Sequence, residues 1–270
     1  MAGQKADMGT TEYHQTRAAV EAVAGSIAEM LRGLPDTGVR IPNSDWSVGE
    51  AAAHLAVSQE CYTEWLKGRS PYPDTHVTTF ASVNAQSLEE LSERDGAVLA
   101  TLIVSRTRAF LEESASYPVQ HQVHPHYGPM DLPSFTSLML VHLLTHGWPM
   151  AKALGRPSPL EPAHTDLAIP CLQAVLPSVL NEAGQRQDAC LEVRIRGGRR
   201  FAVVFDNGSV TVEDAPTKRV DCYLSADPVA FFLVACGLRS QWGLIAQGKL
   251  IAWGLKPWLA LKFKSYFPNP

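Results

Sequence analysis

The chain has 270 residues, enough for two domains each with a sizeable core. Apolar residues make up 46% and charged residues 19%, the mixture of an ordinary soluble globular protein. The formal net charge is -4 and no basic stripe appears, which argues against nucleic acid as a partner.

The first residues, Met1 to Asp7, lack the apolar stretch of a secretory signal. No apolar run approaches bilayer-spanning length, and Phe231 to Leu238 is far too short. No membrane partner is expected, and the expected location is the cytoplasm. The five cysteines (Cys61, Cys171, Cys190, Cys222, Cys236) are scattered, odd in number and free of any C-x-x-C pair. They read as buried thiols in a reducing compartment, not as a disulfide frame or a zinc knuckle.

The first half reads as helices. Ala18, Val20, Val23, Ile27, Met30 and Leu31 recur at helical spacing, so a helix is predicted over 11–31. Pro35 and Pro42 interrupt the pattern. Ser47 followed by Glu50 is a capping box and predicts a helix from there to about Lys67, stopped by Gly68. After a loop holding Pro71 and Pro73, a third helix is predicted over 88–114. A second loop carries His121, His124, Pro125, His126 and Gly128. A fourth helix is predicted over 133–154, ending at Gly155 and Pro157. Four such helices suggest a bundle over 1–156.

Pro157, Pro159 and Pro162 mark a linker. Beyond it the spacing predicts a helix over 166–182, then strands over 190–196, 200–205, 209–213 and 220–226, with Asn207-Gly208 as a turn signal. Asp227-Pro228 opens a helix over 229–236, and a last helix is predicted over 257–267. The expected fold class is α+β with two domains: a four-helix bundle, then over 165–270 an α+β domain with a mostly antiparallel sheet.

His142 and His146 lie four residues apart on one predicted helix, which stacks both rings on one face. Two such imidazoles can grip a divalent ion, and a third ligand must come from elsewhere. His54, early in the second helix among Ala51, Ala52, Leu55 and Ser58, is the candidate. In bundles, ligands project inward from facing helices. Three protein ligands leave one position open, the catalytic rather than the structural pattern. The blander alternative is an accidental pair plus a satisfied core histidine. His14, His76 and His164 read as solvated, while His121, His124 and His126 are loop residues that would at most rim the site.

Trp46-Ser-Val-Gly-Glu-Ala-Ala-Ala-His54-Leu resembles the opening of the DinB/YfiT-like metal-binding bundle, and His142-Leu-Leu-Thr-His146-Gly-Trp148 resembles its closing helix. More narrowly, the chain resembles the mycothiol-dependent maleylpyruvate isomerase family, in which that bundle precedes a sterol-carrier-protein-2-like domain. Asp221 to Pro228, Gly237-Leu-Arg239 and Gly248 to Gly254 are similar to elements of that second domain. The resemblance spans nearly the whole chain. It implies a divalent metal, zinc foremost, held by His54, His142 and His146, with mycothiol or a related thiol as cofactor or cosubstrate. It also implies a small electrophilic substrate, undergoing either cis–trans isomerisation or S-transfer; a monomer or weak dimer is expected. A zinc-like ion suits this, because it binds thiolate and lowers a thiol's pKa. Arg239 is the candidate for holding an anionic substrate group, since guanidinium pairs well with carboxylates; the competing reading is a surface ion pair. Trp46 and Trp148 read as packing residues.

Two departures stand out. The family usually has glutamate where this chain has His142, which leaves the site one unit more positive. The family favours an aspartate where this chain has Pro149, and proline removes a backbone donor just past the ligand. Rival readings are a non-catalytic small-molecule or lipid carrier with a vestigial metal site, a sulfoxide-synthase-like iron enzyme, and a regulatory metal-binding module. The iron enzyme would favour an acidic residue at Trp148.

Overall fold

The computed structural model describes the backbone of residues 2–72 and 80–267. It divides into two compact units, Met1–Leu160 and Glu161–Pro270.

The first unit is helical: α1 Ala2–Leu31, α2 Val48–Leu66, α3 Phe80–Glu90, α4 Gly96–Ser114 and α5 Leu132–Ala153. Helix α4 packs on α1 and α2, and α5 packs on the same two, so four helices enclose one core. Val20, Ile27, Leu31, Leu55, Leu99, Ile103, Phe110, Phe135 and Met139 are buried there. Along α1 and α4 the buried residues recur three and four apart, one inward stripe each, whereas α2 and α5 are buried on most faces, with continuous buried runs over 51–57 and 135–140. The capping box predicted at the start of α2 forms. The Glu50 amide donates to Ser47 Oγ at 3.2 Å, and the Ser47 amide donates to Glu50 Oε2 at 2.7 Å.

The predicted third helix is two. The chain breaks over 91–95, where the Asp95 carboxylate accepts from the Ala97 and Val98 amides and starts α4. Gly96 explains the position of the break. A Cβ there would sit 2.5 Å from the Leu31 carbonyl oxygen, so only glycine lets α4 begin against the end of α1. Between α4 and α5 a short hairpin, β1 Gln122–Val123 with β2 Met130–Asp131, organises a segment expected to be loop. Pro149 does not end α5, which continues to Ala153. The expectations on Pro73 and His76 lie outside the described residues.

The second unit begins with α6 Pro162–Val175 and a 3-10 turn at Leu176–Val179. Then follow α7 Glu182–Gln185, β3 Ala189–Ile195, β4 Arg200–Asp206, β5 Ser209–Glu213, β6 Cys222–Ala226, α8 Pro228–Ala235, α9 Gln241–Ala246, β7 Leu250–Gly254 and α10 Trp258–Lys262. The strand order is β5-β4-β3-β6-β7, antiparallel except for the β3–β6 pair. Asn207 and Gly208 both take positive φ (48° and 76°), the geometry of a tight hairpin turn. Asp227 caps α8 through the Ala230 amide at 2.9 Å. The helix predicted over 166–182 starts earlier and breaks at Pro177, while α9 and β7 carry no periodic signal long enough to separate them from loop.

Candidate metal centre

The three histidines come together inside the first unit. His54 sits two turns into α2, placed by the capping box below it. His142 and His146 sit one turn apart on α5, whose start is set by Asp131 accepting from the Ser134 amide at 3.0 Å. Leu143 and Leu144 between them are fully buried, which fixes the rotation of α5 about its axis. His54 is 5% exposed, while His142 and His146 are half-buried.

One nitrogen from each ring can be chosen so that all three lie within 4.8 Å of one another. The closest approach is His54 Nε2 to His142 Nε2, 3.1 Å, across 88 residues of sequence. Two imidazoles bound to one zinc at about 2.0–2.1 Å and a tetrahedral angle have nitrogens roughly 3.3 Å apart, so this spacing fits a shared ion. Among the described residues no carboxylate or thiol joins the group.

Burial pushes all three imidazoles toward the neutral form. His54 and His142 are held well below the usual histidine range, first by desolvation and then by neighbouring imidazoles. His146 is lowered to about 4 by desolvation. A neutral ring with a free lone pair is the form that ligates a metal. The donors present therefore fit a divalent cation: soft enough for zinc, and three in number, leaving a position for an exogenous ligand.

Sequence reasoning gave three neighbours of the histidines no part in the site. Trp46 stacks on His146 (centroids 5.7 Å, 20° between planes) and lies 4.9 Å from the His54 ring. Its place directly before the capping box is the signal that could have found it, because the box pins the preceding residue over the first turns of α2. Ser58, one turn after His54, places Oγ 3.4 Å from His54 Nε2. Tyr62 adds a further wall, 5.9 Å from His142.

The other histidines are elsewhere. His121 lies against the Leu66 carbonyl (3.4 Å) and His126 against the Trp65 ring (4.8 Å). Both are at the far end of α2 from His54, on the order of 16 Å along the axis at 1.5 Å per residue. They do not rim the centre. His164 is not simply solvated: its Nδ1 accepts from the Glu161 amide at 3.1 Å and helps cap α6. His14 is exposed. Trp148 carries Lys152 over its ring, Nζ 5.0 Å from the centroid. Arg239 belongs to the second unit, exposed in the turn between α8 and α9, where its amide donates to the Leu233 carbonyl at 3.1 Å.

No protein-family model and no curated protein matches the sequence. Solved structures do. The chain is similar to the crystal structure of the mycothiol-dependent maleylpyruvate isomerase, with TM-score 0.52 and 11% identity over 89% of this chain and 92% of that one. A histidine-to-alanine mutant of that enzyme gives TM-score 0.53 and 10% identity over the same shares. At such identity the likeness establishes a shared fold. A ubiquinone synthesis protein described as UbiJ-SCP2 also aligns, over 34% of this chain and 89% of its own, at 19% identity and a TM-score of 0.28, too low to argue from.

Four of the chain's five cysteines are poor nucleophiles. Burial pushes Cys61 up to about 12 and Cys190 up to about 11, and raises Cys171 and Cys222 as well. None of these four is a ready source of thiolate at neutral pH. Among the described residues no helix is long and apolar enough to cross a membrane.

Proposed function

We propose that this protein is a metal-dependent enzyme that uses a low-molecular-weight thiol, of the mycothiol kind, on a small electrophilic substrate. The reaction is cis–trans isomerisation or S-transfer. The observation that carries the reading is the convergence of three neutral imidazoles with one position left over. The bundle with its DinB-like motifs, and the fold shared with a mycothiol-dependent isomerase, support the choice of thiol.

In this reading His54, His142 and His146 hold the ion, zinc foremost. When bound, the cation supplies Lewis-acid charge that favours the deprotonated form of a thiol. Three neutral ligands leave that charge uncompensated, so the centre favours an anionic partner. Trp46 packs on the rings of His54 and His146 and holds them in place. Ser58 offers a hydroxyl beside the centre. Arg239 is proposed to receive an anionic group of the substrate, supported by its exposure and its planar fork of donors.

Metal analysis of the purified protein and of His146→Ala tests this, with thiol binding measured on the same samples. The expected result is about one metal per chain in the wild type, lost in the variant together with thiol binding. Wild-type protein that takes up no metal when supplied with zinc would overturn the reading.

A further inference from the structure

Exposed apolar side chains gather in one stretch of the second unit. Among the described residues, all the exposed large apolar side chains except Val98 fall between Trp242 and Leu261: Trp242, Ile251, Trp253, Leu255, Trp258 and Leu261. Trp253 is committed, since it stacks on Tyr223 (centroids 5.5 Å, 16° between planes) with the Arg194 guanidinium 5.5 Å from its own ring. Trp242 and Trp258 have no ring partner among the described residues and are 63% and 51% exposed. The helices that carry them are tied together, because Gln241 Nε2 donates to the Leu261 carbonyl at 2.8 Å. Trp242 on α9 and Trp258 with Leu261 on α10 therefore stand on joined elements, and an exposed apolar cluster of this kind marks an interaction surface.

The charge of the same stretch is one-sided. After Asp227 the sequence holds no Asp or Glu, but it holds Arg239, Lys249, Lys256, Lys262 and Lys264. The chain as a whole carries a net charge of -4, so cations are segregated here. The two acids nearest in sequence are occupied. Asp221 pairs with Lys256 at 3.1 Å, and Asp227 caps α8 by accepting from the Ala230 amide at 2.9 Å. Arg239, just before α9, and Lys262, at the end of α10, are exposed and enter no ion pair among the described residues. Tryptophan beside long cationic side chains suits a boundary between apolar and charged surroundings. The indole can enter a lipid headgroup layer while the cation stays at the phosphates. A second copy of this chain is a poor occupant, since a symmetric contact would set cation against cation.

We infer that α9, α10 and the turns beside them form a docking face for an anionic lipid bilayer. Trp242, Trp258 and Leu261 enter the headgroup layer, and Arg239 and Lys262 pair with lipid phosphates. The chain lies against the membrane rather than across it. This departs from the expectation of no membrane partner, which rests on the lack of a spanning segment; attachment to a surface needs none. The inference does not depend on the metal reading, since every residue in it belongs to the second unit.

Co-sedimentation of the full chain with vesicles at about 0.1 M salt tests it, comparing pure phosphatidylcholine with phosphatidylcholine containing one-third phosphatidylglycerol. The mixed vesicles bind the protein at least about tenfold more tightly than the neutral ones. Mixed vesicles with brominated acyl chains quench wild-type tryptophan emission. Trp242→Ser combined with Trp258→Ser removes binding with an unchanged circular dichroism spectrum. Lys262→Glu weakens binding by roughly tenfold or more, since each cation near an anionic surface contributes about a fivefold gain. Arg156→Glu, the same charge change at an exposed position of the first unit, leaves binding as it was. Should the double variant fail to fold, the wild-type quenching and the comparison of Lys262→Glu with Arg156→Glu decide. Wild-type protein that ignores the mixed vesicles, binds the neutral ones equally well or shows no quenching overturns the inference. So does equal weakening by Lys262→Glu and Arg156→Glu, which would reduce the effect to net charge. A vesicle-free dimer that the tryptophan substitutions abolish also overturns it, because the face would then belong to a second copy.

Discussion

The centre's chemistry rests on how three imidazoles keep their protons off. An unfolded chain protonates histidine near pH 6.5, whereas folded His146 resists until about 4 because burial penalises the charged ring. The folded-state value is depressed, so its contribution to stability is complete above about 6.5 and is lost as pH falls toward 4. Metal-free protein should therefore show a melting temperature that declines steadily across that window. His146→Leu, which removes the group, should flatten the decline. A wild-type curve flat from pH 7 to 4.5 would mean the ring is not buried in its neutral form. The pairing of His142 with His146 was legible in the sequence, because a four-residue step on a helix allows one outcome. The part played by Trp46 was not, because stacking depends on where a loop residue lands after the helix has formed.

Among the elements, α2 and α4 show two ways in which local sequence sets position. The α2 capping box satisfies amides that would otherwise be orphaned, and Ser47→Ala should cost about 1 kcal/mol. In a unit of this size that is a loss of about 2–4 °C in melting temperature, readable by calorimetry. The start of α4 is set by contact rather than capping alone. Gly96→Ala would drive a Cβ to 2.5 Å from the Leu31 carbonyl oxygen and should cost about 1–3 kcal/mol. An unchanged melting temperature would mean that α1 and α4 can separate freely at that end. The same contact explains why one helix was expected over 88–114 and two are found. Apolar spacing continues across the break, and the close approach of another chain segment is invisible to periodicity. The strands of the second unit were legible from alternation and the Asn207-Gly208 turn. Edge strand β7 was not, because Ile251 and Trp253, which are exposed, are as apolar as Leu250 and Ala252, so no apolar–polar alternation marks it.

At the scale of the molecule, all three candidate ligands fall within Met1–Leu160. The fragment 1–160 should bind metal at the same stoichiometry as the full chain, measured by equilibrium dialysis. Failure of a folded fragment to do so would mean that the centre needs the second unit. The order of residues alone carries the helical first half, the strand-rich second half, the proline-marked passage between them and the candidacy of three histidines. It carries these because periodicity, capping and turn chemistry act over a few residues. It could not say that His54 would stand 3.1 Å from His142, nor that Lys264 would line a largely apolar cavity. A helical stripe specifies that a face is buried but not against which partner. Distances across 88 residues, and the space left between packed elements, are settled only when all the side chains compete for the same core.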